Sequence, residues 1–94
     1  MEIEVRRDDE RHRYYALLDG QEAHIRFAPA GPGTLDFQHT EVPPELRGHG
    51  VAEALVRQAL EDVRARGEHI IATCPYVKAF LARHPEYRPL AVHR

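Results

Sequence analysis

What the chain lacks narrows its class before any motif is read. It has no tryptophan, one methionine and one cysteine, Cys74. A lone cysteine closes no internal disulfide. There is no long apolar run at the start, because Met1 leads into the charged stretch "EIEVRRDDE", which offers neither a signal segment nor a membrane span. A reducing, cytoplasmic setting is the expectation. Charge of one sign is missing too: thirteen basic and fifteen acidic residues give a formal net charge of -2. With the signs alternating along the chain, no basic stripe exists to neutralise a phosphate backbone, and nucleic acid is not an expected partner. Seven histidines are present, yet no HxxxH or CxxC spacing occurs. His39, His49 and Cys74 would be an unusual zinc set, so no metal site is expected.

What is present suits one small domain spanning 1–94, since 94 residues at 43% hydrophobic content support a single core. Ile3 and Val5 alternate with charged residues in a first strand, and "HRYYALLDGQEAHIRFAPA" centres on Asp19-Gly20. That pair predicts a type I′ hairpin, which sets Leu18 against Gln21, Ala16 against Ala23, Tyr14 against Ile25 and His12 against Phe27. After the break at "PAGPG", the stretch "TLDFQHTEV" alternates again, with Leu35, Phe37 and His39 on one face and Thr34, Asp36, Gln38 and Thr40 on the other.

Then the period changes. Ala52, Leu55, Val56, Ala59, Leu60 and Val63 repeat at helical spacing, opposed by Glu53, Arg57, Glu61 and Arg64, with Gly67 as the stop. "HIIATC" has the composition of a strand buried on both faces. "PYVKAFLARHP" predicts a second helix from Pro75 to the terminator Pro85. The expected fold class is α+β: a single mixed, mostly antiparallel sheet in the order β-β-β-β-α-β-α. Its one β-α-β unit should be a right-handed crossover between parallel strands over 34–42 and 69–74.

Small molecules favour the crevice beyond the carboxyl ends of parallel strands. The topology gathers His39 to Val42, the turn containing Gly48 and Gly50, and Cys74 at that end. Glycines there let backbone approach a ligand, and the first helix turn aims unpaired N-H groups at an anion such as pyrophosphate. "RGHGVAEAL" has no Walker lysine and no third Rossmann glycine, so a different phosphate cradle is required. A purely structural turn after Pro43-Pro44 is the competing reading.

Arg47-Gly48-His49-Gly50-Val51-Ala52 resembles the [QR]xxGx[GA] pattern of the GNAT N-acetyltransferase superfamily. With "HTEVPPELRGHGVAEALV" and "CPYVKAFLARHPEY", nearly the whole chain is similar to its short stand-alone YjdJ-type members. The resemblance implies an acetyltransferase that uses acetyl-CoA. Backbone N-H groups of Gly48, His49, Gly50, Val51 and Ala52 would hold the CoA pyrophosphate. Peptide groups near Val42 would run beside the pantetheine arm, and the strands ending at Val42 and Cys74 would splay to admit the thioester. Typical family members carry two helices between their first two strands, and those help to build the acceptor site. Here only "RRDDERHR" intervenes, which implies an open groove and an amine acceptor such as an exposed protein amine. The expected assembly is a monomer or weak dimer.

Cys74 precedes Pro75 and a helix start, where N-H groups lower a thiol pKa from about 8.5. Its thiolate would take the acetyl group and pass it to an amine; alternatively Cys74 lines the pocket while the amine attacks directly, or it is a small buried apolar residue. His39 is the candidate base toward Cys74 or the acceptor ammonium, with Glu41 behind it. Tyr76 is a candidate donor to the leaving CoA thiolate. Lys78, the one lysine, is a candidate partner for the CoA 3′-phosphate, as is Arg83. A non-catalytic CoA-binding module and a small interaction domain are the other functions compatible with these residues.

Overall fold

The computed structural model describes residues 3–92. Strands β1 (Arg6–Asp8), β2 (Arg13–Leu18), β3 (Gln21–Pro29) and β4 (Thr34–Glu41) come first. Helix α1 (Val51–Ala65), strand β5 (His69–Ala72) and helix α2 (Pro75–Arg83) follow. Short 3-10 turns at Pro44–Leu46 and Pro85–Leu90 complete the path. The five strands form one sheet in the order β1-β2-β3-β4-β5, antiparallel except for the parallel pair β4 and β5. This is the expected α+β order, with 3-10 turns where prolines fix φ before each is entered.

The β2-β3 hairpin forms because Asp19 and Gly20 both adopt positive φ, 52° and 77°, which a type I′ turn requires. Leu18 pairs with Gln21, Ala16 with Ala23 and Tyr14 with Ile25. Beyond the ladder, the Phe27 amide donates to the His12 carbonyl at 2.9 Å. Tyr14, Ala16, Ala23, Ile25, Phe27, Leu35, Phe37 and Ile70 are all buried, whereas their sequence neighbours on these strands are half-buried or exposed. Only one sheet face is therefore covered, and both helices lie on it. β5 departs from expectation for this reason: Ile70 is buried, but Ile71 is only half-buried.

Helix α1 supplies the matching stripe. Leu55, Val56, Ala59, Leu60 and Val63 are fully buried, and each Leu or Val so placed contributes about 1.5–3 kcal/mol. The helix ends in a Schellman motif, in which the Gly67 amide (φ 69°) donates to Arg64 and the Glu68 amide to Val63. Where the Tyr14 ring enters this core its hydroxyl donates to Asp62 at 2.6 Å and accepts from Arg7 at 3.3 Å. Burial, then the bond to Asp62, raises the tyrosine pKa. At the far edge, Ala91 bridges Ile70 in parallel and the Val92 amide donates to the Ile70 carbonyl at 2.8 Å.

One irregularity matters for function. Consecutive residues Arg26 and Phe27 of β3 oppose His39 and Phe37 of β4, so Gln38 is an extra residue and β4 is bulged there. A bulge reverses the alternation beyond it. His39, partnered with Arg26, turns to the outer face, and Thr40, partnered with Ile25, turns toward the core.

Candidate active site

The site begins where two strands part. β4 and β5 pair only from Thr34↔His69 to Phe37↔Ala72. The Phe37 carbonyl then accepts from both Thr73 (3.1 Å) and Cys74 (2.8 Å). These two bonds end the ladder, because β4 continues to Glu41 while Pro75 commits the other chain segment to α2. A wedge opens between them.

Its upper wall is the start of α1. Gly48 and Gly50 have φ of 82° and 75°, and Gly50 is the N-cap. A side chain at either glycine would meet nothing within 4 Å. Left-handed φ at both positions favours glycine. The conformation leaves the first helical N-H groups without a side-chain cap, a concave set of donors suited to an anion. Arg47 folds back, its Nε donating to the Val42 carbonyl at 3.0 Å.

The lower wall carries Cys74. It caps α2, is 3% exposed, and its sulfur lies 3.4 Å from Thr40 Oγ1. His39 was expected on this face and is not there. The bulge puts its imidazole on the outer side, half exposed and 3.7 Å from Glu41 Oε1. The residue that faces Cys74 is Thr40, which nothing in the alternation of "TLDFQHTE" marks.

Two adjoining hollows of about 340 and 330 Å³ fill the wedge and share Val42, Arg47, Ala52 and Tyr76. The first reaches Gly48, Gly50 and Val51; the second runs along His39, Thr40 and Glu41. Burial raises the Tyr76 pKa against the opposing charge of Arg83, so the phenol stays protonated and able to donate. Seven of the candidate residues, Val42, Arg47, Gly48, Gly50, Val51, Ala52 and Tyr76, are thus brought to the first hollow. His49 and Lys78 are exposed and line neither. Lys78 follows Tyr76 by two residues, about 200° around the helix, whereas Arg83 follows it by seven and returns to the same face. Of these two cations, Arg83 borders the hollow, as Arg47 does. Among the described residues no helix is long and apolar enough to cross a membrane.

A mixed sheet, a splayed parallel pair and a left-handed glycine turn at a helix start thus make one α+β unit around the wedge. The model of the GCN5-related N-acetyl-transferase family matches residues 13–90, and the chain belongs to that family. Among solved structures, a GCN5-like putative N-acetyltransferase from Staphylococcus aureus superposes with a TM-score of 0.72 at 25% identity, covering 97% of this chain and 89% of that one. Protein NATD1 of Bos taurus is 33% identical over 85 residues, 88% of this chain and 75% of that protein. Protein NATD1 of Xenopus tropicalis is 32% identical over 85 residues, 88% of this chain and 78% of that protein.

Proposed function

We propose that the chain is an acetyl-CoA-dependent N-acetyltransferase that passes the acetyl group through Cys74 to an exposed amine, as a short stand-alone member of the YjdJ type. The observation that carries this reading is the meeting, in one wedge, of the uncapped α1 start and the gap beyond Phe37. The donor groups suit a pyrophosphate, and the hollow along Thr40 and Val42 suits a narrow extended arm. Acetyl-CoA supplies an activated thioester carbonyl. The Cys74 thiol gives its proton to water and its sulfur attacks that carbonyl; a new S-C bond forms as the old one breaks, and Tyr76 is placed to protonate the departing thiolate. The resulting acetyl-Cys74 is then attacked by a neutral amine. An N-C bond forms, the S-C bond breaks, the cysteine sulfur takes back a proton, and the amine's surplus proton leaves by way of Glu41, His39 or water at the rim. Cys74 is only 3% exposed and lines neither hollow, which favours a second route, in which the amine attacks the thioester directly and Cys74 is packing behind the wall.

Only residues 9–12 lie between β1 and β2, and among the described residues no helix stands there. A wide acceptor such as a protein amine suits that opening. The test is calorimetric titration with acetyl-CoA of the parent and of Gly50→Glu, whose carboxylate would repel pyrophosphate, with both folds checked by circular dichroism. Binding by the parent and its loss in the variant are expected; absence of binding by the parent overturns the reading. Intact mass after incubation then separates the routes, since only the covalent one adds an acetyl group that Cys74→Ala abolishes.

A further inference from the structure

We propose that Thr40 is a positioning residue for the Cys74 sulfur, its hydroxyl accepting from the thiol and donating to the thiolate at the moment of attack. The inference deepens the acetyltransferase reading and rests on it for its kinetic consequence, but not for the contact itself. Three observations bear on it. The bulge at Gln38 turns Thr40, rather than His39, toward the core face, and bulges beside functional sites re-aim side chains in this way. Thr40 Oγ1 lies 3.4 Å from Cys74 Sγ, and among the described residues neither atom has another side-chain hydrogen bond. Thr40 also borders the second hollow, which the buried Cys74 does not line.

The chemistry suits the position. A hydroxyl carries one donor and two acceptor sites, so it can serve a thiol as acceptor and a thiolate as donor without itself changing charge. β-branching restricts its χ1 rotamers, which fixes the direction of the O-H. Once the sulfur is acylated it accepts hydrogen bonds poorly, and the Thr40 hydroxyl is released. The packing explanation is a methyl group that merely fills the wall, and the two isosteric halves of threonine separate these roles.

The experiment compares the parent with Thr40→Val, which keeps the shape and removes the hydroxyl, and Thr40→Ser, which does the reverse. Two rates are read: alkylation of the one cysteine by iodoacetamide, and appearance of acetyl-Cys74 by intact mass at saturating acetyl-CoA. Thr40→Val is expected to slow both by about 10-fold, the loss of one hydrogen bond to a charged group, with acetyl-CoA affinity unchanged. Thr40→Ser is expected to restore both to within about 2-fold of the parent. A valine variant that reacts like the parent overturns the proposal, and so does a serine variant as slow as the valine one. If the parent fails to bind acetyl-CoA, the acetyltransferase reading fails, and the alkylation rates still decide whether Thr40 holds the sulfur.

Discussion

The two halves of β4 are built from similar residues and do different work. From Thr34 to Phe37 the strand has β3 on one side and β5 on the other, and its inward residues Leu35 and Phe37 are 6% and 0% exposed. From Gln38 to Glu41 it keeps only β3, carries the bulge, and has no fully buried side chain. The first half commits its backbone groups and apolar side chains to the fold. The second half, freed of β5 by the paired amides on the Phe37 carbonyl, has an open edge and a re-aimed hydroxyl. A single extra residue separates scaffold from site.

The largest test of this contrast is Phe37→Ala, expected to cost about 3–5 kcal/mol in urea denaturation because a fully buried ring leaves a cavity. Thr40→Val in the other half should change stability by less than about 1 kcal/mol; comparable losses would break the distinction. Deleting Gln38 should come next. It removes the bulged residue while leaving Arg26 opposite His39 and Ile25 opposite Thr40, so both side chains keep their faces and stability should change by about 1 kcal/mol or less. A loss of more than about 3 kcal/mol would show that Gln38 is not a dispensable extra residue.

The smallest effect concerns His24, which opposes Glu41 across the ladder. Burial, and after it the charge of Arg13, lowers its pKa. The unfolded chain thus takes up a proton, near about pH 6.5, before the folded protein does. Stability is undiminished above that pH and declines as the pH falls through it. In His24→Gln the urea midpoint should fall less than the parent's between about pH 7.5 and pH 5.5. Equal declines would remove His24 from the account.

The legible parts of the fold are those where one local rule acts alone. Asp19-Gly20 has a backbone demand that few dipeptides meet, and the turn appears in the expected register. The α1 stripe repeats for four turns, and Leu55, Val56, Ala59, Leu60 and Val63 all face the core. The glycine turn and its approach to Val42 are legible from the motif, and both glycines take left-handed φ. Three features were not legible. A bulge is one residue in a run of alternating polar and apolar types, and polar His39 and Thr40 give no pattern to say which turns inward. The run "HIIA" is as apolar as a doubly covered strand, yet helices occupy only one side, a fact of topology that composition does not carry. Lys78 stood near the cofactor end in sequence, and helical rotation, counted from Tyr76, takes it away.

The tail at Ala91 and Val92 has a consequence for how this molecule meets others. A sheet with bare edges is a template onto which any extended chain can add. Here the β5 edge is partly occupied by the chain's own end at Ile70, and the opposite edge is a strand of three residues, Arg6, Arg7 and Asp8, two of them cations. Among the described residues, the stretch from Gln38 to Glu41, in the wedge beneath the α1 start, is an edge of β4 that β5 leaves unpaired. The rims of the sheet are thus short or partly covered, which limits strand addition there.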